Sequence, residues 1–424
     1  MCYHVVMKLA DPSTRFMLHR MAGLAAAARE KAWAHTPNAD DLKRRAVQAR
    51  DRVLNDLASH LARLERVAQA HGVQVMHAQS AQEANRLIIE TLKSFNAAET
   101  LRNRHPLLDE IQLDEAARIN AVRLTPLQAG DFLAQLTERH SGHPIWPVGH
   151  LTAERISDAL NEKWRVPKTY DPDHLASTVR RRLRRQLLRV DAAVLGVHFA
   201  TTDEGLFTFL DNDGHNASLV SLARHVILLL SIEHVAANSA DVEALTRVFA
   251  LSAWGRPLPA YITQLQKPAP PGTDGPRTLH LILVDHRRRE IIAQGFGEAL
   301  RCIHCGACHT LCPVYQQIGG AGYAHSPYTG PIGATLNPLL LAPELGEPQV
   351  GLCDASGQCM TACPLAIDFA RLRRAHCYRL AKAGRAGKDR RYFALWRYLI
   401  DFPRLFIAFL RRNAPQPRKG KSLR

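Results

Sequence analysis

Seven of the nine cysteines lie within one stretch of the chain, residues 302–363. The first four follow the spacing C-x2-C-x2-C-x3-C-P: Cys302, Cys305, Cys308 and Cys312. This spacing is typical of chains that hold two cubane iron–sulfur clusters, in which the fourth cysteine serves the other cluster. Structural zinc more often uses two C-x2-C pairs or histidine partners. The run therefore predicts iron–sulfur clusters.

A second cysteine run, which ends before Pro364, repeats this pattern incompletely, with Ser356 where the second cysteine belongs. The crossed rule predicts four ligands for the first cluster: Cys302, Cys305, Cys308 and Cys363. It leaves three for the second cluster: Cys312, Cys353 and Cys359. The sequence thus predicts two clusters of the 4Fe-4S type, the second of which lacks one thiolate.

Three assignments remain for the fourth ligand of the second cluster. Ser356 could bind iron as an alkoxide, although a hydroxyl ionises far less readily than a thiol. The cluster could instead be a 3Fe-4S cluster, or Cys377 or an external ligand could complete it. We favour the incomplete or labile cluster, because Cys377 lies on a helical, basic stretch where a buried structural thiol is expected. His304 and His309, inside the first run, are predicted to face solvent.

Composition predicts a folded, multidomain chain. The 424 residues include 46% hydrophobic residues, enough for a sizeable core. The first residues lack the apolar core and cleavage site of a secretory signal, and no run of 18 uncharged apolar residues is present. Clustered reduced thiols fit a reducing compartment. We therefore expect a cytoplasmic protein.

Positive charge is concentrated near the C-terminus, where residues 366–424 contain 17 Lys and Arg against three acids. Within this region, residues 393–412 are aromatic and apolar with flanking arginines, so they predict either peripheral membrane contact or packing on a protein surface, and we favour packing. A second arginine-rich segment, residues 180–189, carries Leu183 and Leu187 at helical spacing. No nucleic-acid-binding motif accompanies the charge, so no nucleic-acid partner is expected.

The elements that position the cysteines follow from hydrophobic periodicity. Leucines at three- and four-residue spacing predict helices over the first 70 residues. Strands are predicted at residues 72–77, 121–126, 192–200, 206–210, 225–230 and 279–285, and helices at 130–137 and 152–164. Residues 80–84 are predicted to open a further helix, because Ser80 and Glu83 match a capping box. This alternation predicts an α/β domain with a parallel sheet. We place a helical segment at 1–70, the α/β domain at 71–295, a two-cluster domain at 296–385 and a basic tail at 386–424.

Several motifs resemble one family, the iron–sulfur protein B of bacterial L-lactate utilisation. They are RCIHCGAC at 301–308, CPVYQQIGG at 312–320 and YTGPIGA at 328–334, with upstream similarity at 82–86, 191–200 and 279–285. The resemblance implies a NagB/RpiA/CoA-transferase-like (LUD-type) α/β domain followed by an α-helical ferredoxin-type domain. It also implies NAD-independent oxidation of L-lactate to pyruvate together with two partner proteins.

The chain departs from that family's pattern in its second cysteine run, where the family has its first cysteine at the position of Ser356. Positions that match the family include Glu110, His143, Pro147, His150, Gly205, Asn212 and Gly214. Of these, Gly205, Asn212 and Gly214 are expected to shape a pocket, and no catalytic residue is assigned. The alternatives are an iron–sulfur subunit that oxidises another 2-hydroxy acid or glycerol-3-phosphate, and a cluster-based sensor or nucleic-acid-associated protein.

Overall fold

The computed structural model describes residues 9–137, 143–323 and 326–385, together with Phe402. The chain begins with three helices: α1 (Pro12–Ala34), α2 (Ala39–Asn55) and α3 (Leu57–Ala70). The predicted leucine stripe forms the buried face of α3, which packs on one face of the main sheet. The prediction of helices in this segment is confirmed.

The main sheet has six parallel strands in the order β1-β10-β7-β4-β2-β3. Their bounds are β1 (Gln74–Ala78), β2 (Thr100–Arg102), β3 (Leu124–Pro126), β4 (Ala192–Gly196), β7 (His225–Ser231) and β10 (Thr278–Val284). The central strands β4, β7 and β10 are almost entirely buried, as their continuous apolar runs predict. The parallel-sheet α/β domain is therefore confirmed.

Helices cover both faces of this sheet. They are α4 (Ala81–Ser94), α5 (Pro106–Glu110), α6 (Leu113–Ile119), α7 (Ala129–Leu136), α8 (Ala153–Trp164), α9 (Pro172–Leu187) and α10 (His215–Leu222). The next helix, α11 (Ser239–Trp254), packs instead on α1 and α2. The predicted capping box opens α4: the Glu83 N–H donates to Ser80 Oγ at 3.1 Å, and the Glu83 carboxylate accepts from the Gln79 N–H at 2.8 Å. The arginine-rich segment lies on α9, which buries its leucines and exposes most of its arginines.

A second, smaller sheet has the order β8-β5-β6-β9. Its strands are β5 (Phe199–Thr201), β6 (Phe207–Asp211), β8 (Val235–Ala236) and β9 (Tyr261–Leu265). The prediction of a single strand at 192–200 is wrong, because the chain leaves the main sheet after Gly196 and enters the second sheet at Phe199. Both pieces are buried, so the apolar run does not record the change of sheet.

The C-terminal part is helical. Its α-helices are α12 (Arg288–Ile291), α13 (Ala307–Thr310), α14 (Pro313–Ile318), α15 (Gly330–Leu340), α16 (Pro343–Gly346), α17 (Gln358–Ala362) and α18 (Phe369–Lys382). Shorter turns connect them: 3-10 turns at Gly297–Arg301, Gly320–Tyr323 and Glu347–Leu352, and a π turn at Ile292–Phe296. Another 3-10 turn, at Ile232–His234, joins β7 to β8 in the α/β domain. Its apolar residues share one core with α2 and α11, so the N-terminal helices pack directly on this part.

The predicted domain boundaries stay predictions. Near the boundary at residue 295, the backbone turns at Gly295 with φ of 81°. The basic tail, including the apolar segment at 393–412, lies outside the described residues except for Phe402. Among the helices of the described part, none is both long and apolar enough to cross a bilayer.

Candidate iron–sulfur centres

The first predicted ligand set lines one cavity. All four thiols, of Cys302, Cys305, Cys308 and Cys363, border a space of about 730 Å³ between the α/β domain and the helical part. Cys302 and Cys305 project from the loop between Arg301 and α13, Cys308 lies within α13, and Cys363 follows α17. The structure therefore brings Cys363 to the first run, as the crossed rule predicts.

The far wall of this cavity belongs to the α/β domain. Arg102 and Arg104, at the carboxyl end of β2, both reach it. Their guanidinium groups are already paired, since Arg102 binds the Asp114 carboxylate at 2.6 Å and both arginines contact Asp131. The wall opposite the cysteines is thus polar but largely charge-balanced.

The second predicted set lines a separate, smaller cavity formed by Cys312, Cys353, Cys359 and the Asp354–Gly357 loop. Ser356 borders the same cavity but is exposed, and its N–H donates to Asp354 Oδ1 at 3.1 Å. Cys377 lies elsewhere, on α18 against Val350 and Leu380. Within the described residues, no group of three or more Cys, His, Asp or Glu side chains is placed to hold a single metal ion.

The two sites share one backbone course. The residue before the second ligand position has a left-handed φ in both loops, 55° at His304 and 61° at Ala355. The next glycine is also left-handed, with φ of 73° at Gly306 and 76° at Gly357. A short helix follows each glycine, and a cysteine that precedes a proline comes after each helix. Ser356 therefore occupies the place that Cys305 has in the first loop.

Backbone amides surround the thiols. The His304 N–H donates to Cys302 Sγ at 3.4 Å, and the Tyr315 N–H donates to Cys312 Sγ at 3.4 Å. Burial raises the pKa of Cys305 and Cys359 to about 12 and that of Cys312 to about 11. Such thiols become thiolates when a metal replaces the proton, and N–H donors stabilise the resulting charge. All seven thiols of the two runs are free of disulfides, so the residues present fit two thiolate-held clusters.

The two histidines of the first run face the protein interior, so the prediction that they face solvent is wrong. His309 is 1% exposed, and its ring contacts those of Tyr315 and His143 at centroid distances of 4.8 and 5.0 Å. The His304 ring stacks on Tyr328 at 5.0 Å. Burial lowers the pKa of His304 to about 4 and that of His309 to about 3. Both rings are therefore neutral neighbours of cysteines.

His143, which sequence reasoning noted only as a family match, connects the α/β domain to the first loop. Its Nδ1 accepts from the Ile145 N–H at 3.1 Å, so its Nε2 carries the proton and donates to the Gly306 carbonyl at 3.3 Å. A Cβ atom at Gly306 would lie 2.5 Å from the His143 ring. The left-handed φ and the close ring both require glycine there.

A buried charge network lies beside the first site. The Glu110 carboxylate accepts from Arg288 Nη2 at 2.6 Å, from the Tyr328 hydroxyl and from the imidazole of His286 at 2.6 Å. Arg288 also pairs with Glu233 at 3.3 Å, and both charged groups are almost fully buried. Arg288 holds the pKa of the Glu110 carboxyl well below its usual range, against the opposing effect of burial. Tyr328 links this network to His304 and hence to Cys302.

A small polar cavity of about 90 Å³ lies at the carboxyl ends of the strands, away from the cysteines. Asn212 lines it, as expected. Gly205 does not, because it packs against Val67 and His71, and Gly214 sits at the start of α10 near the Tyr261 ring. Of the three residues expected to shape a pocket, Asn212 alone borders this cavity.

Comparison with known proteins follows the same division of the chain. Residues 61–284 match the LUD domain family, and residues 298–367 match the 4Fe-4S dicluster domain family. The "Uncharacterized electron transport protein YkgF" of Escherichia coli (strain K12) is 28% identical over 94% of this chain and 84% of its own length. Lactate utilization protein B of Macrococcus caseolyticus is 32% identical over 76% of this chain and 68% of its own length. The Bacillus licheniformis protein of the same name is 30% identical, over 82% and 74%.

Proposed function

Because the chain belongs to the lactate utilization protein B family, with a LUD domain before a 4Fe-4S dicluster domain, we propose that it is the electron-transfer subunit of a multi-protein complex that oxidises L-lactate to pyruvate. An iron–sulfur electron-transfer role follows from the dicluster domain and the relatives. The substrate and the two partner proteins are the further step of the proposal.

The observation that carries the proposal is the division of seven cysteines between two neighbouring cavities. It supports Cys302, Cys305, Cys308 and Cys363 as ligands of the first cluster. It likewise supports Cys312, Cys353 and Cys359 as ligands of the second. Because the cysteine before each proline serves the opposite cavity, the two clusters would be close enough for electrons to pass between them.

The clusters supply one-electron redox chemistry when bound. The chain's own groups prepare the two sites differently. Around the first, side chains from the α/β domain line the cavity, and the His304 N–H donates to a thiol. Around the second, Asp354, Ala355 and Ser356 are exposed, which offers a partner protein close access. The proposed path therefore joins a centre that faces the α/β domain to one beside an exposed loop.

The fourth position of the second cluster is proposed to lack a protein thiolate. Ser356 is exposed, and Cys377 lies away from the cavity on α18. Both observations support an incomplete or labile second cluster over a four-cysteine one. Iron and acid-labile sulfide counts with EPR on anaerobically prepared protein test this, and two ordinary four-iron signals would contradict it.

The substrate is tested with the full chain and its two partner proteins. Anaerobic addition of L-lactate should reduce the clusters, as seen by loss of visible absorbance and appearance of EPR signals. Glycolate and glycerol-3-phosphate serve as the competing donors. Reduction by one of these but not by lactate would reassign the substrate and keep the electron-transfer role.

Location is proposed as cytoplasmic, with membrane contact through the basic tail as an additional proposal. The charge and the aromatic residues of that tail support it. Flotation of the full chain with anionic phospholipid vesicles measures the contact directly. A chain that stays at the bottom of the gradient removes the membrane contact and leaves the redox role intact.

A further inference from the structure

Arg29 is a buried cation beside the first cluster site. It projects from α1, and it is 7% exposed. Its Nη2 donates to Thr310 Oγ1 at 2.9 Å, and that hydroxyl donates in turn to the Ala307 carbonyl at 2.8 Å. Both Thr310 and Ala307 belong to α13, the short helix that carries Cys308. The hydrogen bonds therefore fix the guanidinium against the ligand-bearing helix.

No carboxylate balances this charge within the described part of the chain. Burial lowers the pKa of Arg29, and the negative charge that Cys305 and Cys308 would carry as thiolates opposes this effect. The other buried arginines near this site differ because each has a carboxylate as an ionic neighbour: Glu233 for Arg50 and Arg288, and Asp114 for Arg102. Buried charges in proteins are normally paired, so Arg29 requires an anion from the cysteine site itself.

The second site supplies an internal comparison. Thr361 stands in α17 where Thr310 stands in α13, and its hydroxyl makes the same contact, to the Gln358 carbonyl at 2.8 Å. Thr361 is exposed, and among the described residues no arginine donates to it. The charged side chain of the second loop is the exposed Asp354, which adds to the effect of burial that raises the pKa of Cys312. One repeat thus meets a buried cation and the other an exposed anion.

We infer that Arg29 is the counter-cation of the first cluster and raises its reduction potential. Reduction adds a negative charge to a thiolate-held cluster. A fixed, buried cation beside the cluster therefore stabilises the reduced form more than the oxidised form. Arg29 lies before residue 61, outside both regions that match known domain families. The N-terminal helix is therefore part of the redox centre. This inference rests on the proposed electron-transfer function and its ligand assignment.

The test is an EPR-monitored redox titration of the full chain, reconstituted anaerobically, with both clusters followed in each sample. Arg29→Gln should move the first cluster to a lower potential and leave the second unchanged. Arg29→Lys keeps the charge and should retain most of the wild-type potential. Thr361→Val, at the matching position of the second site, is the control and should shift neither cluster.

Equal shifts of the first cluster's reduction potential in Arg29→Gln and Arg29→Lys would overturn the inference. The shape of the Arg29 side chain, rather than its charge, would then determine the potential. Equal shifts of both clusters, or no shift, would also overturn it. If Arg29→Gln does not fold, Thr310→Val replaces it and should give a smaller shift of the first cluster in the same direction, whereas no shift would contradict the inference. The titration needs neither lactate nor partners, so failure of the lactate proposal leaves it unaffected. Absence of both clusters after reconstitution would instead overturn the proposed function.

Discussion

The loops of the first and second cysteine sites follow the same backbone but differ in their surroundings. Each has a left-handed residue, a left-handed glycine and a short helix in the same order. The first loop is covered by α1 and the α/β domain, whereas the second exposes Asp354, Ala355 and Ser356. The comparison shows that the backbone at residue 356 has the same conformation as at the ligand position of the first loop, although Ser356 carries a hydroxyl instead of a thiol. Side-chain chemistry and enclosure, rather than loop geometry, therefore distinguish the two sites.

The largest expected effect is loss of the four-iron form of the first cluster. Cys308→Ala removes a buried thiol that borders the first cavity. The protein should lose iron and the four-iron EPR signal of the first cluster, since the remaining three thiols leave one iron without a thiolate. Thr361→Ala, a small exposed change in the second repeat, should keep both signals. Full iron content in Cys308→Ala would show that the ligand assignment is wrong.

The next largest expected effect is the gain of a fourth thiolate at the second cluster. Ser356→Cys should place a thiol where Cys305 stands in the first loop, because the backbone there already matches. We expect a second cluster with a full complement of iron that survives air exposure longer, measured by iron-to-protein ratio and EPR before and after oxygen. Ser356→Ala is the matched control and should change neither reading. A loss of iron in Ser356→Ala would identify Ser356 as a ligand after all.

A third expected effect concerns the buried charge network of Glu110 and Arg288, which lies beside the first site. Glu110→Gln leaves Arg288 with one buried carboxylate partner instead of two, so unfolding should become easier by about 3–5 kcal/mol in a urea titration. The EPR signal of the first cluster should change, because Tyr328 connects Glu110 to His304, and that of the second should not. Glu115→Gln, in the exposed pair with Arg118, should have no measurable effect. Equal changes in both signals would mean that the network acts on the whole fold.

The smallest effects concern the two loop glycines. Alanine at either left-handed position costs about 1–2 kcal/mol. At Gly306 the added Cβ also meets the His143 ring at 2.5 Å, whereas at Gly357 its nearest neighbour is the flexible Met360 side chain at 3.4 Å. Gly306→Ala should therefore lower the denaturation midpoint more than Gly357→Ala. The opposite order would indicate that His143 moves away easily.

The cysteine spacing and the apolar strands could be predicted from sequence because both depend on local pattern. The position of β4, β7 and β10 as buried strands of a parallel sheet agrees with their continuous apolar runs. The hydrophobic pattern failed to predict the structure where the chain changes its packing partners without a change in residue types. Residues 192–200 divide between two sheets, and His309 is enclosed by Tyr315 and by His143, which is distant in sequence. The burial of Arg29 could not be predicted from the sequence either. Other arginines lie on the same helix, and Arg29 is buried only because it contacts α13.

The crossing of the two cysteine runs has a consequence for biosynthesis. Cys363 borders the cavity that begins with Cys302, so the first site is incomplete until nearly the whole helical part has been synthesised. A ribosome that has just finished the first run therefore carries a partial ligand set. Cluster insertion at the first site should therefore wait until Cys363 has been synthesised, and truncation before residue 363 should leave that site with three thiols.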